Sequence, residues 1–599
     1  MMSRETGIFY LEYNPIIYNR MEKTKRIEIL RHSLAHVLAA AVYEMFPDAK
    51  FGVGPAVENG FYYDFDLPRT LIPEDLDILE EKMFRIIKAN HKFEKANLSF
   101  SEALKDFKKA KQPYKLELIK DIKRENSKLA TVAVFRTGNF VDLCLGPHLE
   151  STGEINLRSF KLTKISGAYW KGDEKNKMLQ RIYGVAFTTE KELKNYLAML
   201  AEAEKRDHKK IGRDLGLFSF HAESPGSAFW HPKGMTIWNE LEQFGKRLRK
   251  KYGFQEIQTP LIAKNILWKQ SGHWDHYKDS MFSIKSESET YCLKPMDCPF
   301  NILMYKERTK SYRDLPIRFS EIGRIMRNEK SGELNGLLRV RYLTQDDSHI
   351  FCLPQQVEKE IAGLLRMVKE YYPAFGIEPQ FFLSTRPDDY MGKKSEWDLA
   401  EKNLSNALKK ERVRFGIKEK DGAFYGPKID IEIKDALGRN WQLATIQLDF
   451  QMPQRFGLEY TDEKGKPAIP VMIHAAVFGS FERFIGILTE HYAGAFPFWI
   501  APIQVEVIPV SDKFQKYGTE INSLLSEKNI RSVIHESSES LGKRIRNAQY
   551  EKINYMLIVG EKEMKTKTVA VRDREKGDIG AMKIERFLEK ARKQIQEKK

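Results

Sequence analysis

Between Glu190 and Ile211 the chain reads EKELKNYLAMLAEAEKRDHKKI, where apolar and charged residues recur at helical spacing with no Gly or Pro. A helix so polar over much of its surface does not lie inside one core; it joins two. At 599 residues the chain is too long for a single hydrophobic core, so three or four domains are expected, with this helix as a connector. GRDLGLFSFHAESPGSAFWHPKG then breaks into turns and aromatics, which marks a domain opening. The last hundred residues alternate strand-like IQVEVIPV, RSVIHE, YMLIVG and KTVAVRDR with helix-like KYGTEINSLLSEKN, LGKRIRNAQYEKI and AMKIERFLEKARKQIQEKK. That is the pattern of a small α/β domain.

No uncharged apolar run approaches the length of about 18 residues that a membrane span needs. The first thirty residues lack an apolar signal core and carry Glu5, Glu12 and Glu22, which argues against a targeting segment; Met21 is a second candidate start. Four cysteines, Cys144, Cys292, Cys298 and Cys352, make no disulfide framework in a chain this long, and fit a reducing cytoplasm. A net charge of +16 and a pI near 9.2 favour a polyanionic partner, although lysine-rich soluble proteins without one are common.

Three central segments carry most of the possible chemistry. KYGFQEIQTPLI is a helix end running into a strand that stops at Pro260. RFSEIGRIMRNEKSGELNGLLRVRYLTQDDSHIF reads as two antiparallel strands joined by a loop containing Gly332 and Gly336. HAAVFGSFERFIGIL is a strand turning into a helix through Gly479, with Glu482 and Arg483 at the turn. Far upstream, LRHSLAHVLAAA puts His32 and His36 on one face of an Ala- and Leu-rich helix, and FVDLCLGPHLEST offers Cys144 and His148 in a loop made by Gly146 and Pro147. On residues alone, HxxxH with CxxxH reads as a zinc site; packed histidines beside an inert cysteine are the alternative.

The central segments resemble motifs 1, 2 and 3 of class II aminoacyl-tRNA synthetases. Over residues 26–599 the chain is similar to the threonyl-tRNA synthetase family, through SGHWDHY, LKPMDCP, RNEKSGELNGLLRVR, LTQDDSHIF, AFYGPKIDI and GAYWKGDEKNKMLQRIYGVAF. The resemblance implies an α+β multidomain fold: a tail over 1–25, an α+β editing domain over 26–188, a linker helix over 189–211, a class II catalytic domain on an antiparallel sheet over 212–500, and an α/β anticodon-binding domain over 501–599. The small ubiquitin-like TGS domain that opens many members is expected to be absent. The implied activity is threonine–tRNA ligase: L-threonine is activated with ATP and Mg²⁺, then transferred to the 3′ end of tRNA(Thr). A cytoplasmic homodimer built through motif 1 is expected.

Threonine's carboxylate is ionised at neutral pH and attacks the α-phosphorus of ATP without a general base, so catalysis is alignment plus neutralisation of phosphate charge. By resemblance Arg327 holds the α-phosphate, Arg483 packs on adenine and reaches the γ-phosphate side, and Glu329 holds the adenine end. His273 is similar to the histidine that moves a proton when the amino acid passes to tRNA. Valine is nearly isosteric with threonine, and an apolar pocket separates such pairs poorly. The resemblance answers this with a Zn²⁺ on Cys298, His349 and His474 that takes the amine and hydroxyl together. Asp347 matches the acid that contacts the hydroxyl, and Gln345, Tyr425, Gln442 and Thr445 fall in segments of the substrate and ATP pocket. Six positions depart from the family pattern: Met326 and Leu343 where Phe is usual, Leu443-Ala444 where Cys-Gly is usual, Ala475 for Arg, and Ser538 for Asn.

Serine keeps both the amine and the hydroxyl, and one lost methyl changes binding by only about 1–3 kcal/mol. Mischarged Ser-tRNA(Thr) must therefore be hydrolysed elsewhere. The resemblance assigns that editing site to His32, His36, Lys115, Asp142, Cys144 and His148. A metal-free site is the favoured reading, with His32 or His36 positioning water and the others binding the tRNA 3′ adenosine; a similar quartet holds zinc in alanyl-tRNA synthetase editing domains. Glu563 and Arg572 match positions that read anticodon bases, the kind of base-edge contact that specificity needs. Rival readings are a prolyl- or seryl-specific enzyme of the same class, and an RNA-binding regulator on an inactive synthetase fold.

Overall fold

The computed structural model describes residues 15–435, 438–535 and 539–598, with side chains from residue 25 onward. Ser538 and the first part of the expected tail, 1–14, lie outside the described residues; from Pro15 the backbone is already helical. Two compact units divide at Ala201/Glu202. No described helix is long and apolar enough to cross a membrane.

The first unit is organised by the helix Pro15–Met45. Its residues Leu34 to Val42 are buried without interruption, so the helix is enclosed on all sides rather than laid on a surface. It packs on the helix Glu74–Lys88 and on an antiparallel sheet ordered Lys50–Phe51, Gly60–Asp66, Met178–Ala186, Phe160–Tyr169. A second antiparallel sheet, Phe93–Ser99, Thr131–Thr137 and Phe140–Leu143, carries the helices Phe100–Lys109 and Pro113–Glu125. Ser99 and Glu102 form a reciprocal capping box at the start of the first of these.

In the second unit eight strands form one sheet, ordered Gln255–Glu256, Ile317–Met326, Tyr342–Cys352, Val471–Ser480, Asn440–Asp449, Lys428–Lys434, Pro379–Ser384, Phe415–Lys418. All neighbours are antiparallel except the first and last pairs. The main core joins this sheet to the helices Pro232–Lys251, Val357–Tyr371, Lys394–Lys410 and Phe481–His491. A five-stranded sheet near the C-terminus, ordered Ser532–Ile534, Val505–Pro509, Tyr555–Val559, Thr568–Asp573, Gly577–Lys583, has its own core.

Two local expectations are corrected. The connector is not one helix: Glu190–Lys205 ends, and Asp207 caps a new helix, His208–Asp214, by accepting from the Lys209 N–H at 2.7 Å. The break turns His208 into the core, where Nδ1 meets Glu490 at 2.7 Å and Nε2 accepts from the Leu337 N–H at 3.0 Å. The sequence AMK, expected to open the last helix, instead closes the strand Gly577–Lys583, and the helix starts at Ile584. Pairing along Thr568–Asp573 outweighs the helix preference of Ala, Met and Lys there.

Candidate active site

Adjacent antiparallel strands place His349 directly opposite His474, with Nε2 of the first 3.1 Å from Nδ1 of the second. Cys298 opens the helix Cys298–Lys306, and the three ligand atoms lie within 4.8 Å of one another, all buried. His474 Nε2 sits 3.0 Å from Asp449 Oδ2, which assigns its proton to that nitrogen and turns the Nδ1 lone pair into the cluster. Burial holds the Cys298 thiol well above its ordinary range, and burial with His474 holds His349 well below it. Two nitrogens bound to one tetrahedral zinc at about 2.0–2.1 Å stand about 3.3–3.4 Å apart, so the two imidazoles have the spacing that ion needs, with a sulfur donor within 4.8 Å of both.

Side chains at odd positions of Tyr342–Cys352 share a sheet face with His349. Asp347 Oδ2 is 3.8 Å from His349 Nε2, and Gln345 follows one step further along. The Tyr425 hydroxyl donates to Gln447 Oε1, and its ring lies 5.5 Å from that of His474. Gln442 and Thr445 both turn to the buried Asp430, the threonine at 3.4 Å. His273 is buried, paired with Ser271 Oγ at 2.7 Å, and pulled down to about 4 by burial and the nearby His474.

The antiparallel pair Ile317–Met326 and Tyr342–Cys352 carries a loop that folds back on itself. Arg327 donates to the Pro295 carbonyl at 3.3 Å, Arg339 pairs with Glu329 at 2.8 Å, and Arg341 donates to the Glu329 carbonyl at 2.9 Å. Gly479 has φ +75°, and a Cβ there would meet the Leu443 carbonyl oxygen at 2.5 Å, so only glycine makes this turn. Ser480 caps the next helix, whose Arg483 donates to the Leu338 carbonyl at 3.0 Å. Burial and the cations of Arg327 and Arg339 lower the Arg483 pKa, with Glu329 opposing. Arg327 and Arg339 therefore act on Arg483 as neighbouring cations, and Arg339 is the one of the three paired with the Glu329 carboxylate. Glu482 is not part of this cluster: the carboxyl is buried against the Thr344 N–H and pushed up to about 8. Among the departures, Met326 lines a cavity of about 590 Å³ with Phe229, Leu261 and Phe282; Leu443 and Ala475 are buried in the main core. Lys294, Arg249 and Asp346, all buried and charged beside these groups, escaped sequence reasoning because no local pattern marks them.

In the first unit His32, Cys144 and His148 converge, with Cys144 Sγ 3.2 Å from Nε2 of each histidine. The tautomers follow from their other nitrogens. His32 Nδ1 is 3.3 Å from the Pro147 carbonyl, which only accepts. Ser33 donates its hydroxyl to the Ile29 carbonyl at 2.9 Å, so His148 Nδ1, 3.3 Å away, must donate to Ser33. Two Nε2 lone pairs therefore face one thiol, which can donate to only one of them. Burial lowers the His32 pKa, and burial with the neighbouring histidines takes His148 down to about 2, while burial takes Cys144 up to about 11. His36 lies one layer deeper, with neither ring nitrogen hydrogen-bonded, its Nε2 3.7 Å from Asp142. Lys115 pairs with Asp142 at 2.6 Å and donates to Tyr63 at 3.0 Å, and Tyr63 donates to Asp142. Lys115, Asp142, Arg136 and Gln112 line an adjoining cavity of about 490 Å³.

Glu563 accepts from the Gly560 N–H at 3.0 Å at the start of the helix Glu561–Thr566, and Arg572 lies half-buried on the strand that follows, opposite Met556.

The tRNA synthetase class II core domain (G, H, P, S and T) matches residues 281–492, the anticodon binding domain matches 504–594, and the threonyl and alanyl tRNA synthetase second additional domain matches 132–183. The threonine–tRNA ligase of Caldanaerobacter subterraneus subsp. tengcongensis is 50% identical over 95% of this chain and 87% of its own length. That of Acetivibrio thermocellus is 49% identical over 95% and 88%. A crystal structure of the RNA binding domain of threonyl-tRNA synthetase from Cryptosporidium parvum Iowa II superimposes with a TM-score of 0.63 at 40% identity, covering 65% of this chain and 98% of that one. The chain belongs to the threonine–tRNA ligase family of class II aminoacyl-tRNA synthetases.

Proposed function

We propose that the protein activates L-threonine with ATP, transfers it to tRNA(Thr), and hydrolyses Ser-tRNA(Thr) at a second site in its first unit. The observation that carries this reading is the buried convergence of Cys298, His349 and His474 beside Asp347, on the sheet that also carries the Arg327 and Arg483 cluster. Those three residues would hold a Zn²⁺, which would supply Lewis-acid binding of the amine and hydroxyl of threonine together, a pairing that valine lacks. Asp347 accepts from the hydroxyl, and Gln345 and Tyr425 close the pocket around the amino acid. Arg327 draws the α-phosphate toward the threonine carboxylate, Arg483 and Glu329 fix the nucleotide, and Mg²⁺ enters with ATP. Gln442 and Thr445 keep Asp430 and the strand behind the pocket in place. His273, neutral in its buried setting, handles the proton released when the tRNA 3′ hydroxyl attacks.

At the editing site the excess lone pair at His32 and His148 seats a water, with Cys144 donating to the other imidazole. His36, Lys115 and Asp142 form the polar wall that holds the 3′ adenosine. Glu563 and Arg572 read the anticodon, and editing, catalysis and anticodon reading fall to residues 26–188, 212–500 and 501–599, joined by a linker of two helices rather than one. Exposed Phe229, Leu261, Ile262 and Ile266, near the edge strand of the catalytic sheet, support a homodimer, and four free cysteines support a cytoplasmic setting.

Exchange of pyrophosphate into ATP that depends on threonine tests the activation step; its absence in zinc-loaded protein rules the reading out, together with any ligase role. For editing, His36→Ala is expected to leave threonylation within about twofold while Ser-tRNA deacylation falls about a hundredfold. Unchanged deacylation in that variant excludes this quartet. A chelator that leaves deacylation intact agrees with a water-only site.

A further inference from the structure

Asp346 lies between Gln345 and Asp347, yet its side chain points to the opposite face of the sheet. On the neighbouring strand Ala476 pairs with Asp347 and Ser480 with Gln345, so Val477, Phe478 and Gly479 all stand against this one residue. Such a bulge interrupts the ladder and leaves backbone N–H groups without strand partners. The Asp346 carboxylate accepts from all three, at 3.1, 3.2 and 3.0 Å, while the Val477 carbonyl takes the Tyr372 hydroxyl at 2.8 Å. The bulge ends at Ser480, whose hydroxyl caps the helix bearing Arg483. The direction in which Arg483 leaves the sheet is therefore set by one buried carboxylate.

A carboxylate with no exposure needs a counter-ion. It comes from a different element: Arg249, in the last turn of Pro232–Lys251, with 4% side-chain exposure. Its Nη2 bonds the Asp346 carboxylate and, at 3.2 Å, the Asp346 carbonyl; its Nε donates to Ser348 Oγ at 3.1 Å. Ala475 pairs across the sheet with Ser348 and so shares that face, and its small side chain leaves room for the guanidinium. Replacing a buried ion pair by apolar groups often costs no stability, so stability alone does not account for this arrangement, whereas orientation of the bulge does.

We propose that Arg249, through Asp346, is a positioning residue for ATP: it locks the 477–479 bulge and thereby aims Arg483 at the nucleotide. This rests on the reading of Arg483 as a nucleotide-binding residue. The test is pyrophosphate exchange on the full-length zinc-loaded protein, with KM for ATP and for threonine measured separately and folding followed by thermal unfolding. Arg249→Met is expected to raise the ATP KM about tenfold and the threonine KM no more than about twofold, since the zinc ligands hang from the other face. Asp346→Asn, which keeps the volume, shifts the ATP KM in the same direction and carries the test should Arg249→Met fail to fold. Arg249→Met/Ala475→Arg, which returns a guanidinium beside Ser348, is expected to bring the ATP KM back to within about threefold of the parent. A folded Arg249→Met or Asp346→Asn with ATP KM within about twofold of the parent overturns the proposal, as does a folded double variant no better than the single one. Arg483→Ala separates the two readings. An unchanged ATP KM there removes the nucleotide role itself, and a raised one beside a normal Arg249→Met removes only the positioning role.

Discussion

Cys298→Ala is expected to abolish threonine activation while leaving the fold intact. Cys298 is one of three donors, and its thiol, buried and held far above its ordinary range, becomes a thiolate only when a cation shares the site. Two histidines alone bind zinc weakly, so the metal content of the purified variant should fall well below one per chain. Threonine-dependent pyrophosphate exchange should drop by about a thousandfold, equivalent to about 4 kcal/mol of transition-state stabilisation. The side chain packs in a satellite core with Trp268, Phe300 and Met472, and trimming one sulfur there leaves a small cavity rather than a collapsed domain. Full exchange activity in metal-free Cys298→Ala would falsify the metal reading.

Arg327→Ala is the second large effect. Arg327 and Arg339 lie near enough to Arg483 to lower its pKa, with Glu329, paired to Arg339, opposing them, so the cluster suits an anionic ligand. Removing the guanidinium nearest the end of the Ile317–Met326 strand withdraws charge from the α-phosphate as the new bond forms. A loss of about 10²–10³-fold in kcat/KM for ATP is expected, with zinc content unchanged. Arg327→Lys should recover only part of it, because an ammonium does not reproduce the planar fork. A variant whose ATP kinetics match the parent places the α-phosphate elsewhere.

Much of this architecture was legible in the sequence, for identifiable reasons. The loop with Gly332 and Gly336 between IRFSEIGRIM and YLTQDDSHIFC marked them as paired antiparallel strands, and the glycine before Ser480 marked the turn, because both depend on local backbone rules. The Cys298, His349 and His474 cluster and the arginines were reached through the family resemblance, and the chain's own spacing did not group Cys298 with residues 51 and 176 positions later. What stayed hidden is tertiary. His208 breaks the connector because Glu490 and Leu337 await it, a partner set no window of sequence contains. GDIGAMK becomes a strand because a neighbour offers a ladder. His36 shares a helical face with His32, yet a tight core draws it toward Asp142 and leaves Cys144 to His32 and His148. Arg249 reads as one more cation in KRLRKK until the fold buries it on Asp346.

The most direct test of the central claim is a side-by-side pyrophosphate exchange with threonine, serine and valine on protein whose zinc has been counted. One zinc per chain, exchange with threonine and to a lesser degree serine, and none above background with valine is the predicted outcome. Valine accepted as readily as threonine, or undiminished threonine activation after the zinc has been stripped, contradicts it.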